Sequence, residues 1–144
     1  MPIEVSFPGG KRVDARVGAH WITTDQPVEL GGGGTAPAPF DLFLASLATC
    51  AGIYVLGFCD ARGISMEGVS LVQHVTYDEA TKLPSAVRIE LRLPPSFPEK
   101  YVAAVTRAAE GCKVKKTIAA TPRFEVMPVR AKGASEDVQT NHVS

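Results

Sequence analysis

Pro39-Phe40-Asp41-Leu42-Phe43-Leu44-Ala45-Ser46-Leu47-Ala48-Thr49-Cys50 opens the stretch on which the fold turns. From Leu42 to Cys59 eighteen successive side chains carry no charge. Pro39 suits the first position of a helix, and Asp41 places a carboxylate in the first turn, where the helix dipole favours it. The pattern predicts one long helix running to about Ala61-Arg62, with Gly63 as its stop. Phe43, Leu47, Cys50 and Tyr54 share a stripe at three-and-four spacing. Ala45, Ala48, Ala51 and Gly52 keep much of the remaining surface small, so another helix can approach closely. The run is at the lower edge of what spans a bilayer. Ser46, Thr49, Gly52 and Gly57 interrupt it, and strands with one polar face flank it. A central helix buried from all sides explains it better than a membrane span.

On the N-terminal side, Ile3, Val5 and Phe7 alternate with polar neighbours before the Pro8-Gly9-Gly10 turn. Val13, Ala15 and Val17 alternate next, and His20 to Thr24 gives a third segment after Gly18. A small antiparallel meander is expected. Gln26 to Pro39 is a loop with Gly31-Gly32-Gly33-Gly34 and three prolines. No Gly-Lys-Ser/Thr follows the glycines, so the loop reads as a connector and not as a phosphate cradle. Beyond the helix, Val69, Leu71, Val75 and Tyr77 alternate with polar residues, as do Val87, Ile89, Leu91 and Leu93. Asp78 to Ser85 is short enough for a hairpin. Ser96 with Glu99 has the form of a capping box for a second helix. Tyr101, Val105, Ala108 and Cys112 fall on one face of it, with Cys112 at its end. A short helical turn over Lys115 to Ala119 and a last strand over Arg123 to Met127 complete the order, and Arg130 onward is polar and aperiodic. The fold class is α+β: a single domain over residues 1–128, with 129–144 a flexible tail.

Fifteen basic side chains balance fifteen acidic ones, so the basic surplus that nucleic acid or an anionic membrane would attract is missing. Neither is expected as a partner. Met1 to Gly10 lacks the charged-then-apolar order of a secretory signal. Three cysteines is an odd count for a disulfide framework. A reducing, cytoplasmic setting is therefore the expectation, and cysteines there are more often free, catalytic or metal-bound. Metal is disfavoured, because no CxxC or HxxxH spacing joins the cysteines to His20, His74 or His142. No Gly-x-Ser-x-Gly elbow marks a serine hydrolase.

Cys50 and Cys112 carry the remaining chemistry. A lone buried cysteine is usually a small hydrophobe. A reactive one needs a nearby cation or a helix N-terminus to stabilise the thiolate. Cys50 lies about three turns into its own helix, too far for that helix's dipole to help, so an arginine of the meander, Arg12 or Arg16, is expected to activate it. Cys112 is the natural resolving partner, since a sulfenic acid condenses with a second thiol to a disulfide. Cys59 lies half a turn out of phase with Cys50 on the same helix and reads as packing.

Residues 39–50, with Glu110-Gly111-Cys112-Lys113-Val114, resemble the two cysteine motifs of the OsmC/Ohr family, and the resemblance covers about residues 3 to 128. It implies an OsmC-like fold, antiparallel strands about long central helices in an intertwined homodimer. It also implies a thiol-dependent peroxidase that reduces organic hydroperoxides, with Cys50 attacking and Cys112 resolving. A dithiol such as a lipoylated protein would be the reductant, and no cofactor is needed. The partner chain would cover the uncharged helix. The chain departs from the family twice. Phe40 stands where a glutamate commonly pairs with the activating arginine, with Asp41 one residue later, and Lys113 replaces a frequent proline. These departures keep a second reading in view, a non-enzymatic redox-sensing or small-molecule-binding dimer.

Overall fold

The computed structural model describes residues 1–131. Its elements follow in the order β1 (Ile3–Gly9), β2 (Arg12–Val17), β3 (His20–Thr24), α1 (Pro39–Asp60), β4 (Ser70–Tyr77), β5 (Pro84–Arg92), α2 (Val102–Glu110) and α3 (Lys113–Ala119). The class is α+β, with two separate antiparallel sheets, β1-β2-β3 and β4-β5. In the first sheet Ile3 pairs with Val17, Val5 with Ala15 and Arg16 with Trp21. In the second, Leu71 pairs with Leu91 and Val75 with Val87, so that one face is apolar.

α1 begins as its sequence dictates. Pro39 occupies the first turn, and the Asp41 carboxylate accepts a hydrogen bond from the Ala38 amide at 3.0 Å. The helix ends at Asp60, just short of the expected Arg62, and Gly63 follows at a φ of +63°. The core is the seam where α1 crosses α2. Ala51, Val55 and Cys59 of α1 are buried there with Val105 and Ala109 of α2, and Phe97 closes one end. Each branched aliphatic side chain so buried contributes about 1.5–3 kcal/mol. Leu47 extends the same stripe. This stripe is rotated by one residue from the expected one. Phe43 and Tyr54 lie beside the seam, partly exposed.

Helix α1 is not covered on all sides within one chain. Phe40, Ile53 and Leu56 face outward, and Ile53 keeps 58% of its surface. By length and composition alone the helix could cross a membrane. The β1-β2-β3 meander is barer still. Among the described residues it makes no substantial packing contact with α1, α2 or the β4-β5 sheet. Phe7 is 79% exposed and Trp21 64%.

Three expectations are corrected. Ser96 and Glu99 form no capping box: Pro98 precedes a single 3-10 turn over Glu99–Tyr101, from which α2 starts at Val102 without a side-chain cap. Gly111 then ends α2 early, so Cys112 is the residue before α3 and not the last of α2. Finally, Arg123 to Met127 is not in a strand. Phe124 and Val126 are fully open to solvent, because no sheet edge of the described chain meets this segment. The expected tail lies outside the described residues from position 132 onward.

Candidate dithiol site

α1 carries Cys50 to the place where α2 turns into α3. Gly111 makes the turn tight: a Cβ there would lie 3.2 Å from the Ala108 carbonyl and 3.9 Å from the Tyr54 ring. The chain then redirects at Cys112, which is fully buried and precedes the first turn of α3. The backbone amides of Val114 and Lys113, at the start of α3, and the Cys112 thiol act on the Cys50 sulfur. Both cysteines are free thiols, Cys50 partly accessible and Cys112 buried.

These contacts hold the Cys50 thiol below the usual cysteine range. The Val114 amide acts most, then Cys112; burial opposes them, and the Lys113 amide and the charge of Lys115 add to the lowering. The physical cause is the one that sequence reasoning required, a helix N-terminus. The helix is α3, however, and not α1. Cys59 behaves as packing: it is fully buried, and burial pushes its thiol up, offset in part by Arg62.

The arginine expected beside Cys50 is not there within the chain. Arg12 donates to the Asp14 carboxylate at 2.9 Å. Arg16 donates to the Gly18 carbonyl at 3.2 Å and lies 3.9 Å from Glu4. Asp41, the candidate for the displaced family glutamate, has its carboxylate on the Ala38 amide of its own helix. Within one chain, then, the expected arginine–acid pair does not form beside Cys50. The register signal that would have shown the start of α3 is Gly111, a helix breaker directly before Cys112.

Next to the thiols lies an apolar cavity of about 780 Å³ between α1, β5, α2 and α3. Leu47 and Ala51, three residues before Cys50 and one after it, form its α1 wall; Val87 and Ile89 face them from β5. A second cavity of about 830 Å³ opens beyond the C-terminus of α1 around Arg62, Lys100 and Tyr101, and neither Cys50 nor Cys112 lines either cavity. Among the described residues, no three His, Cys, Asp or Glu side chains converge as a metal ion would require. Sequence reasoning missed one polar anchor of the site. Gln73, on the inner face of β4, donates its side-chain amide to the Leu44 carbonyl at 2.9 Å and fastens α1 two turns before Cys50.

Two free cysteines, one before and one far beyond the central helix crossing, thus sit near an apolar cavity in an α+β frame. A model of the OsmC-like protein family matches residues 31–127, and the chain belongs to that family. Solved structures agree in fold. A candidate osmotic stress induced and detoxification response protein from Psychrobacter arcticus 273-4 is 25% identical, with a TM-score of 0.69 over 80% of this chain and 85% of that one. An organic hydroperoxide resistance protein OsmC from Legionella pneumophila is 24% identical, with a TM-score of 0.54 over 81% and 87%. A candidate organic hydroperoxide resistance protein from Vibrio cholerae O1 biovar eltor, holding captopril in one of its active sites, is 18% identical, with a TM-score of 0.53 over 84% and 86%. No curated protein matches the chain.

Proposed function

We propose that this protein is a thiol-dependent peroxidase that reduces organic hydroperoxides through a Cys50–Cys112 disulfide cycle. The observation that supports the reading is a pair of free thiols in an OsmC-like chain, Cys50 partly accessible and Cys112 buried at the start of α3, with the α3 amides lowering the Cys50 thiol. In the first step the Cys50 thiolate attacks the terminal peroxide oxygen. The S–O bond forms as the O–O bond breaks, and the electron pair leaves on the alkoxide, which takes a proton to become the alcohol. Cys50 is now a sulfenic acid. The Cys112 thiol then attacks the Cys50 sulfur, the S–S bond forms and water leaves. A dithiol reductant, such as a lipoylated protein, restores both thiols by exchange. The apolar cavity is sized to receive the organic group of the substrate.

The working form is a homodimer. A three-stranded meander with Phe7 and Trp21 exposed cannot hold its place alone, and neither can a helix with Ile53 and Leu56 bare. A second copy of the chain would cover both, with the meander of one copy packed on the body of the other. A reducing cytoplasm supplies the dithiols that the cycle consumes.

The test is a thiol count. Reduced protein receives one equivalent of cumene hydroperoxide, as wild type and as Cys112→Ser. Wild type is expected to lose two thiols within seconds, and the variant to stop with Cys50 as a sulfenic acid. No loss over minutes would favour the second reading, a redox-sensing or small-molecule-binding dimer.

A further inference from the structure

The cavity of about 830 Å³ beyond the C-terminus of α1 has no part in the dithiol chemistry. Arg62 on its wall stands roughly 18 Å from Cys50 along the helix axis, at 1.5 Å per residue. The cavity lies between two turns that pack on one another. Gly68, at a φ of +76°, comes so near Pro94 that a Cβ there would lie 3.0 Å from the proline Cβ. The Phe97 amide donates to the Pro94 carbonyl at 2.9 Å, and the Ile64 amide to the Cys59 carbonyl at 2.9 Å, which ties the other turn to the end of α1. Ile64, Pro94 and Phe97 so give the cavity an apolar lining, fixed in place.

Two cations line the same cavity, and aromatic rings hold both. The Arg62 guanidinium lies 3.7 Å over the Phe58 ring, and its Nη1 donates to the Phe58 carbonyl at 3.1 Å. It is 5.8 Å from the centre of the Tyr101 ring, and the Lys100 ammonium is 5.0 Å from that centre. Phe58 and Tyr101 meet edge to face at 5.9 Å. Asp60, Glu67 and Glu99 are close in sequence, yet among the described residues no carboxylate pairs with either cation. Glu67 is the one acid among the described residues of the wall. An arginine held by Nη1 keeps its Nε–Nη2 edge for a bidentate acceptor. The negative end of α1 opposes an anion here, and the Arg62 bond to the Phe58 carbonyl offsets it.

We propose that this cavity binds a small organic anion, a carboxylate or phosphate on a flat apolar body, with Arg62 and Lys100 on the charge and Ile64, Pro94 and Phe97 against the body. The site is independent of the peroxidase reading. It is also distinct from the surfaces on which the dimer is argued, since Phe7, Trp21, Ile53 and Leu56 do not line it.

The experiment is isothermal titration calorimetry of the full-length reduced protein with naphthoate, naphthyl phosphate, inorganic phosphate and the uncharged naphthamide. Naphthoate or naphthyl phosphate is expected to bind about tenfold more tightly than naphthamide and inorganic phosphate, and the tighter of the two names the anion. Arg62→Gln is expected to weaken that binding about tenfold, and Lys100→Gln about threefold at moderate salt. Lys100 makes no side-chain hydrogen bond among the described residues, so its variant removes the charge without loosening the end of α1 as Arg62→Gln could. Arg88→Gln, on the wall of the other cavity, is expected to bind as wild type does. Naphthamide binding as tightly as naphthoate overturns the proposal, as does inorganic phosphate matching naphthyl phosphate. So do the absence of heat from every probe, and weakening by Arg88→Gln with Arg62→Gln and Lys100→Gln silent, which would place the anion beside the thiols. No peroxide is used, so failure here is separate from failure of the thiol count.

Discussion

The carboxylate of Asp25 accepts hydrogen bonds from the Gln26 amide at 2.8 Å, the Gly33 amide at 3.2 Å, the Thr35 amide at 3.1 Å and the Thr35 hydroxyl at 2.7 Å. Those four donors fold the glycine-rich connector back on the end of β3 and so set where the meander leaves the body. They hold the Asp25 carboxyl at about 2, with the Thr35 hydroxyl the largest influence. The folded value lies below the ordinary 3.8. Stability from this group is therefore complete above that ordinary value and drains away as pH falls through about 2. Asp25→Asn is expected to be less stable than wild type at neutral pH, and the gap is expected to close toward pH 2 in urea titrations run at several pH values. Gly32 is constrained by space: a Cβ there would run into the Gln26 backbone carbonyl. Gly32→Ala is expected to cost at least about 2 kcal/mol in the same assay. None of this was legible beforehand. The four glycines announced a connector, but the partners of Asp25 are amides eight and ten residues on, and such contacts leave no periodic trace.

At the scale of elements, regular patterns were legible and the breaks between them less so. The alternation of Val87, Ile89 and Leu91 with Arg88, Glu90 and Arg92 gave β5 directly, and the outer face pairs Glu90 with Arg88, Arg92 and His74. The uncharged run gave α1 to within two residues. The sharpest difference was at Cys112. Helical spacing from Tyr101 carried it onto α2, and only the helix-breaking effect of Gly111 moves it to the start of α3. That shift decides the chemistry, since it supplies the amides that act on Cys50. The seam beneath is ordinary packing. Val55 and Val105 are both fully buried across it, so Val55→Ala removes two methyl groups from a tight contact. A loss of about 2 kcal/mol is expected from the urea midpoint, with the pH profile of Cys50 alkylation by iodoacetamide unchanged in shape. Gly111→Ala should behave in the opposite way. A side chain 3.2 Å from the Ala108 carbonyl displaces the turn that carries Cys112, so disulfide formation after peroxide should slow more than stability falls.

At the scale of the whole molecule, some residues have a pattern that disagrees with their environment in one chain, and the proposed dimer is argued from them. Ile3, Val5 and Phe7 alternate as a half-buried strand should, yet all three are exposed. Phe124 and Val126 alternate in the same way without forming a strand. Their alternation is why a last strand was expected, and no sheet edge among the described residues meets them. The proposed second copy would resolve the conflict, since apolar surface so covered returns about 25 cal/mol per Å². The melting temperature should therefore rise with protein concentration, as it does where folding and association are one event. Ile53→Glu places a charge on the bare face of α1, away from the buried stripe of Leu47, Ala51, Val55 and Cys59. In a lone chain it would be nearly silent, because surface substitutions usually stay within about 0.5 kcal/mol. In the proposed dimer it would bury an unpaired carboxylate, and the variant should sediment as a monomer with its melting temperature lowered and no longer tied to concentration. A variant that sediments and melts like wild type would show that the exposed face of α1 meets water, and the cover for the meander would have to come from elsewhere.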